Sequence, residues 1–168
     1  MKHKIIISAF ALAFVATSGW ANDHGHKSQA GKEGHQAGGH GHGGDSIGKA
    51  GNPKKISRTV EIVAGDNMRY APDKINVKEG ETIRFVVKNT GKLKHEMVLG
   101  TRKELMEHAA LMQKFPEMEH ADANMLSLLP GETGEIVWQF TNSGTVDFAC
   151  LQPGHMEAGM VGKVAVKH

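Results

Sequence analysis

The chain has 168 residues and a formal net charge of +2, from 20 basic and 18 acidic side chains. This balanced charge and the low aromatic content of 5% give no electrostatic or stacking basis for binding nucleic acid or an anionic membrane. The single cysteine excludes an internal disulfide, so any role for it must be as a free thiol or as a metal ligand.

The N-terminus has the pattern of an export signal. Two lysines lie in the first four residues, an apolar run covers residues 5–15, and Gly19-Trp20-Ala21 precedes a polar stretch. This order predicts a cleavable signal peptide over residues 1–21. The run is too short to span a bilayer, and no later stretch approaches the about 20 apolar residues of a transmembrane helix. We therefore expect a periplasmic protein without a membrane anchor.

Residues 22–56 are rich in Gly, His, Lys, Ser and Gln and have almost no large apolar side chain. Such a segment buries too little surface to offset the entropy lost on ordering, so it is predicted to be disordered. Histidine-rich tracts are also compositional candidates for loose metal binding. The side chains predicted to bind accessory copper weakly here are His24, His26, His35, His40 and His42.

From about Ser57 the sequence changes to short runs in which apolar and polar residues alternate. The clearest runs lie around residues 59–62, 83–88 and 136–140, and turn-forming residues separate them. Period-two alternation is typical of half-buried strands. Seven or eight such strands in about 110 residues predict one β-sandwich domain over residues 57–168.

One segment departs from the strand pattern. Thr101-Arg-Lys-Glu104 reads as a capping box, and Leu105, Ala109 and Met112 share one helical face. This predicts an inserted helix over residues 101–114. Thioether and imidazole are ligands of Cu(I), so the loop that follows also offers a weaker accessory copper site, although methionines more often fill gaps in a core. The residues in question are Met118, His120 and Met125.

The lone cysteine lies in Cys150-Leu-Gln-Pro-Gly-His155-Met-Glu-Ala-Gly-Met160. Strand alternation directs the Cys150 side chain inward at the end of a strand, and the glycines let the chain turn back, so one short loop can offer thiolate, imidazole and thioether. A second imidazole, His95, lies on a separate apolar stretch upstream. Two imidazoles, a thiolate and a weak axial thioether are the donor set of electron-transfer copper sites.

Other interpretations of Cys150 are weaker. Zinc also binds cysteine and histidine, but methionine is a poor ligand for it. A binuclear copper centre needs two bridging cysteines, and c-type haem needs a Cys-x-x-Cys-His motif. The remaining alternative is an inert, buried cysteine beside a hydrogen-bonded loop histidine. The combination of four donors with an export signal favours one mononuclear type 1 copper site.

Several segments resemble the cupredoxins, the small blue copper proteins. They are Met68-Arg-Tyr-Ala-Pro72, Ile75-Asn-Val-Lys-Glu-Gly80, Pro130-Gly131, His95 and the loop from Cys150 to Met160. The resemblance covers residues 57–168 and implies an all-β, Greek-key β-sandwich with one inserted α-helix. It also implies that copper is held equatorially by His95, Cys150 and His155 and axially by Met160. Many cupredoxins have asparagine after the first histidine, where this chain has Glu96.

The segments His95-Glu-Met-Val-Leu-Gly-Thr101 and Pro116-Glu-Met-Glu-His120, with the inserted helix, are similar to one subgroup, the periplasmic copper-tolerance cupredoxins of the CopI group. This implies a role in copper handling with one-electron redox capability. The alternative is a soluble electron carrier between respiratory partners, which by the resemblance would dock near His155. No catalytic arrangement of a hydrolase is apparent, and no enzymatic activity is predicted.

Overall fold

The computed structural model describes residues 44–115 and 122–168. These ranges contain two helices and ten strands. The helices are α1 (Gly44–Ile47) and α2 (Arg102–Lys114). The strands are β1 (Lys49–Ala50), β2 (Arg58–Gly65), β3 (Arg69–Ala71), β4 (Lys74–Lys78), β5 (Thr82–Asn89), β6 (His95–Gly100), β7 (Met125–Leu128), β8 (Thr133–Gln139), β9 (Gly144–Ala149) and β10 (Val161–Lys167).

The strands form two five-stranded sheets. The strand order is β1-β8-β5-β2-β3 in one sheet and β4-β10-β9-β6-β7 in the other. The pairs β2/β5 and β4/β10 are parallel, and the other pairs are antiparallel. Neighbouring strands in sequence are repeatedly placed in different sheets, so the chain crosses between them. The predicted β-sandwich is confirmed, with more strands than expected because β1, β3 and β7 are too short to show a period.

Side-chain alternation places the core between the sheets, as predicted. In β5, Ile83 and Phe85 have no exposed surface and Val87 is equally buried, whereas Lys88 is exposed. The rings of Phe85 and Phe140 meet edge to face with centroids 6.2 Å apart. Burial of a large apolar side chain stabilises the fold by about 1.5–3 kcal/mol. The apolar residues of each strand therefore determine which of its faces is directed towards the core.

The inserted helix is confirmed. Thr101 is its N-cap and forms the predicted capping box with Glu104. The buried face of α2, made of Leu105, Ala109 and Met112, packs in a second apolar cluster with Val98, Ala149 and Leu151. In β6, Met97 and Leu99 belong to the sandwich core and Val98 packs in the cluster with α2, so this part of the strand is covered on both faces. No helix among the described residues is long and apolar enough to cross a membrane.

The segment predicted to be disordered is partly structured, which corrects the expectation for residues 44–56. Strand β1 pairs antiparallel with β8, and the Ile47 carbonyl accepts a 2.9 Å hydrogen bond from Trp138 Nε1. Ile47 is 3% exposed and belongs to the sandwich core. The polar segment is thus attached to the sandwich by one large apolar side chain together with hydrogen bonds to β8 and Trp138. Residues 22–43 lie outside the described ranges.

Replacing Ile47 with alanine is expected to lower the free energy of unfolding by about 2 kcal/mol or more, because it leaves a cavity in the core. Denaturant unfolding, followed by the fluorescence of Trp138, measures the change. Leu129→Ala is the control, since Leu129 is 56% exposed and its truncation should cost less than about 0.5 kcal/mol. Equal effects of the two substitutions would show that the N-terminal segment does not contribute to the core.

Candidate metal centre

Two neighbouring strands bring the distant candidate ligands together. His95 is the first residue of β6, and Cys150 directly follows β9. The strands pair antiparallel with Val98 opposite Ala149. The first residue of β6 and the last residue of β9 therefore lie at the same end of the sheet. The Cys150 side chain points into the core, as the alternation predicted, and is completely buried.

The loop from Cys150 to Met160 is closed by backbone hydrogen bonds. The Cys150 N–H donates to the Met160 carbonyl at 3.1 Å, and the Met160 N–H donates to the His155 carbonyl at 2.9 Å. Gly154 and Gly159 have φ of +86° and +101°, a region in which side chains are strained, so the predicted turns do need glycine. These bonds hold the three loop donors within one short stretch of chain.

Three of the four predicted ligands converge. One donor atom from each of His95, Cys150 and His155 lies within 4.8 Å of the others. Cys150 Sγ is 3.3 Å from His155 Nδ1, and the two imidazole centroids are 5.1 Å apart. With metal bonds of about 2.0–2.3 Å, one ion can be reached by all three after small side-chain movements. Met160 is fully buried in the same core cluster as Cys150 and lies near His95.

A carboxylate fixes the orientation of His95. Asp66 Oδ1 is 3.1 Å from His95 Nε2, and a carboxylate oxygen only accepts, so Nε2 carries the proton. Asp66 is itself held by the backbone N–H groups of Lys92 and Leu93 at 2.7 and 3.3 Å. The Lys92 N–H, followed by the hydrogen bond to His95, lowers the pKa of Asp66.

The other ring nitrogen of His95 is the strongest sign of a ligand. Among the residues that the structure describes, His95 Nδ1 is a buried nitrogen with no hydrogen-bond partner. Leaving such an atom unpaired in a protein interior costs about 1–3 kcal/mol. A neutral imidazole whose Nε2 is protonated has its lone pair on Nδ1, so this nitrogen is the one available to bind a metal.

Burial favours the uncharged forms of the Cys150 thiol and the His155 imidazole. Desolvation raises the pKa of the Cys150 thiol to about 11, although the N–H groups of Glu96 and Gln152 partly oppose this effect. Desolvation also lowers the pKa of His155, and the nearby His95 acts in the same direction. The imidazole is thus available as a neutral ligand, and metal binding would release the thiol proton.

The structure adds residues that sequence reasoning missed. Asp66 lies in a turn 29 positions before His95, and Gln152 contacts the buried carboxylate of Glu96 at 2.7 Å. Polar residues in turns are common, so neither Asp66 nor Gln152 carried a signal of its own. Glu96 did, because it departs from the asparagine of many cupredoxins.

Of the residues predicted to bind accessory copper, the structure describes only Met125. Met125 is partly buried and packs in the apolar cluster under α2, so in this structure it serves the core. The other predicted accessory ligands lie outside the described residues: His24, His26, His35, His40, His42, Met118 and His120.

The donor set fits a soft, thiophilic metal. A thiol and two imidazoles lie close together, and a buried thioether belongs to the same core cluster as the thiol. Thiolate and thioether ligands select copper over hard cations such as Mg²⁺ or Ca²⁺. The unpaired Nδ1 of His95 shows that the residues present suit such an ion. The half-buried His155 lies at the surface side of the group, between the exposed Pro153 and Ala158.

Comparison with known proteins gives consistent matches. The profile of the copper binding proteins of the plastocyanin/azurin family matches residues 57–167. The copper-resistant cuproprotein CopI of Rubrivivax gelatinosus is 46% identical over 171 residues, covering 99% of this chain and 100% of that protein. CopI of Pseudomonas aeruginosa is 36% identical, covering 74% of this chain and 84% of that protein. Reduced auracyanin from Roseiflexus castenholzii has a TM-score of 0.58 and 26% identity, covering 67% of this chain and 99% of that one.

Proposed function

The chain belongs to the plastocyanin/azurin family of copper-binding proteins, and from this premise we propose that it is a periplasmic type 1 copper protein that acts in copper tolerance. The observation that carries the proposal is the convergence of three donors around a buried, unpaired imidazole nitrogen. The similarity to CopI proteins, one of them over nearly the full chain, supports the physiological role.

In the proposed site, His95 and His155 supply imidazole nitrogens, Cys150 supplies the thiolate, and Met160 supplies a weak axial thioether. Copper bound there would provide a one-electron couple between Cu(II) and Cu(I). The protein holds its donors on two paired strands and a hydrogen-bonded loop, so little rearrangement accompanies a change of charge at the site. Cys150, Met160 and His95 have no exposed surface, so His155 is the one proposed ligand that is partly exposed to solvent.

The surface around His155 favours electron exchange as a second candidate function. Its ring is half-buried, whereas Pro153 and Ala158 beside it are exposed, so the loop presents a small apolar rim. A redox partner that docks on this rim would approach the centre through the imidazole. Met156, in the same loop, is partly buried and packs against the cluster under α2. An electron carrier docks a partner on this surface in every cycle of reduction and oxidation. A copper-tolerance protein needs the surface only when copper enters, leaves or changes oxidation state.

Titration of the metal-free protein with Cu(II) tests the proposed site. We expect an intense visible thiolate-to-copper absorption that saturates at one equivalent. A truncated protein that begins at residue 44 retains all four proposed type 1 ligands and should give the same absorption. If the tail histidines of the full mature chain also bind copper, that chain should take up more than one equivalent. The additional copper should not increase the intensity of the thiolate band. Saturation without the band would contradict a type 1 site.

Replacing Asp66 with alanine is expected to lower copper affinity about 10–100-fold, the usual effect of removing a group that orients a metal-binding histidine. The substitution frees Nε2 of His95 and removes the acceptor that fixes its tautomer. Competition with a chelator of known affinity measures the loss. Asp73→Ala, at an exposed aspartate, is the control and should leave affinity unchanged. Equal affinities of the two variants would show that Asp66 does not orient the ligand.

A further inference from the structure

A buried carboxylate lies directly beside the proposed ligands. Glu96 follows His95 in β6 and is 5% exposed. We propose that Glu96 and Gln152 form a side-chain clamp that positions the Cys150–Met160 loop against the His95 strand before any metal binds. The proposal rests on the type 1 site proposed above and makes Glu96 and Gln152 positioning residues.

Contacts to Glu96 come from three separate parts of the chain: β3, β7 and the Cys150–Met160 loop. Its Oε1 accepts from Gln152 Nε2 at 2.7 Å and lies 3.5 Å from the Ser127 hydroxyl. Its backbone N–H donates to Cys150 Sγ at 3.3 Å, and its carbonyl accepts from the Tyr70 hydroxyl. Burial raises the pKa of Tyr70 well above its usual value, so this phenol remains a donor. Glu96 is therefore fixed in place by both its backbone and its side chain.

The fixed carboxylate in turn restrains the ligand loop. Gln152 is two residues after Cys150, and its carbonyl accepts the His155 N–H at 3.0 Å. Holding the Gln152 side chain to β6 thus restrains the turn that aims the His155 imidazole at Cys150. A buried carboxylate is costly unless its oxygens are hydrogen-bonded, so this contact is much harder to break than an exposed one.

The same loop carries a matched pair at the surface. Gln113 Nε2 of α2 donates to Glu157 Oε1 at 2.8 Å, and both side chains are exposed. In both pairs a glutamine amide donates to a glutamate oxygen over nearly the same distance, 2.7 and 2.8 Å, and both hydrogen bonds attach the loop to a neighbouring element. They differ in burial, so a comparison of the two separates a positioning clamp from an incidental surface contact.

Hydrogen–deuterium exchange of loop residues 151–159 in the metal-free mature protein tests the clamp. Gln152→Ala is expected to speed exchange about tenfold or more, because it leaves the Glu96 carboxylate without its closest donor. Glu96→Ala should act similarly, and the double variant should add little, because both substitutions remove one contact. Glu157→Ala should change exchange less than about twofold, since it removes an exposed contact. If Glu96→Ala does not fold, the comparison of Gln152→Ala with Glu157→Ala decides alone.

Equal exchange in Gln152→Ala and Glu157→Ala, or fully additive effects in the double variant, would overturn the clamp. The copper-loaded proteins give a second readout. Gln152→Ala should shift the visible absorption or the copper hyperfine splitting of the EPR spectrum, whereas Glu157→Ala should not.

The clamp and the type 1 site are tested by different measurements. Hydrogen–deuterium exchange needs no copper, and the visible band of the unmodified protein tests the type 1 site. A wild-type protein without the band contradicts the proposed function, whereas a wild-type band with unshifted spectra and unchanged exchange in Gln152→Ala contradicts only the clamp.

Discussion

Serine in place of Cys150 is expected to abolish the intense visible absorption of the copper-loaded protein. The band requires transfer of charge from a thiolate to Cu(II), and Cys150 is the only cysteine in the chain. A serine hydroxyl is a harder ligand with a far higher pKa, so it cannot replace the thiolate. Serine is close to cysteine in size and can accept the Glu96 N–H, so we expect the fold to remain. Absorption spectra at one equivalent of Cu(II) measure the effect.

Met160→Leu is the matched control for this experiment. It alters another fully buried residue of the same loop but removes only the weak axial donor. We expect the band to persist with a changed position or ratio of intensities. Circular dichroism of both metal-free variants checks that the sandwich is intact. Persistence of the full band in Cys150→Ser would exclude the thiolate as its source and with it the proposed type 1 centre.

Deletion of the gene is expected to lower, severalfold, the copper concentration at which growth stops. The expectation follows from the proposed role in copper tolerance, since a cell without this protein lacks one means of binding copper in its envelope. Growth curves across a copper series, with a zinc series for comparison, measure the effect. Zinc tolerance should change less, because a given nitrogen and sulfur donor set binds Cu(II) more tightly than Zn(II).

Complementation separates the centre from the histidine-rich segment. The unmodified gene should restore tolerance, and Cys150→Ser should not. A gene that lacks codons 22–43 but keeps the predicted signal peptide removes the five tail histidines and leaves the described domain intact. Partial restoration by this gene is expected if the tail gathers copper for the centre. Unchanged copper tolerance in the deletion strain, together with a respiratory defect, would instead favour the electron carrier.

The fold was predictable where neighbouring residues determine it. Alternation in β5 and β8 and the capping box at Thr101 are local patterns, and the strands, the core face and the inserted helix follow from them. The start of the structured region was misplaced for the opposite reason. Ile47 is one apolar residue in a polar segment, and its burial depends on the open edge of β8, which lies about 90 positions away.

The sequence by itself determined the kind of site: one thiol, nearby imidazole and thioether groups at close spacing, and a second imidazole upstream. The tertiary structure decided which atoms face one another. It placed His95 beside the loop through the register of β6 and β9, directed Nδ1 inward through Asp66, and joined Glu96 to Gln152. Ligand types are read from side-chain chemistry alone. Their orientation depends on hydrogen bonds between residues 29 to 56 positions apart, which leave no periodic or local pattern in the sequence.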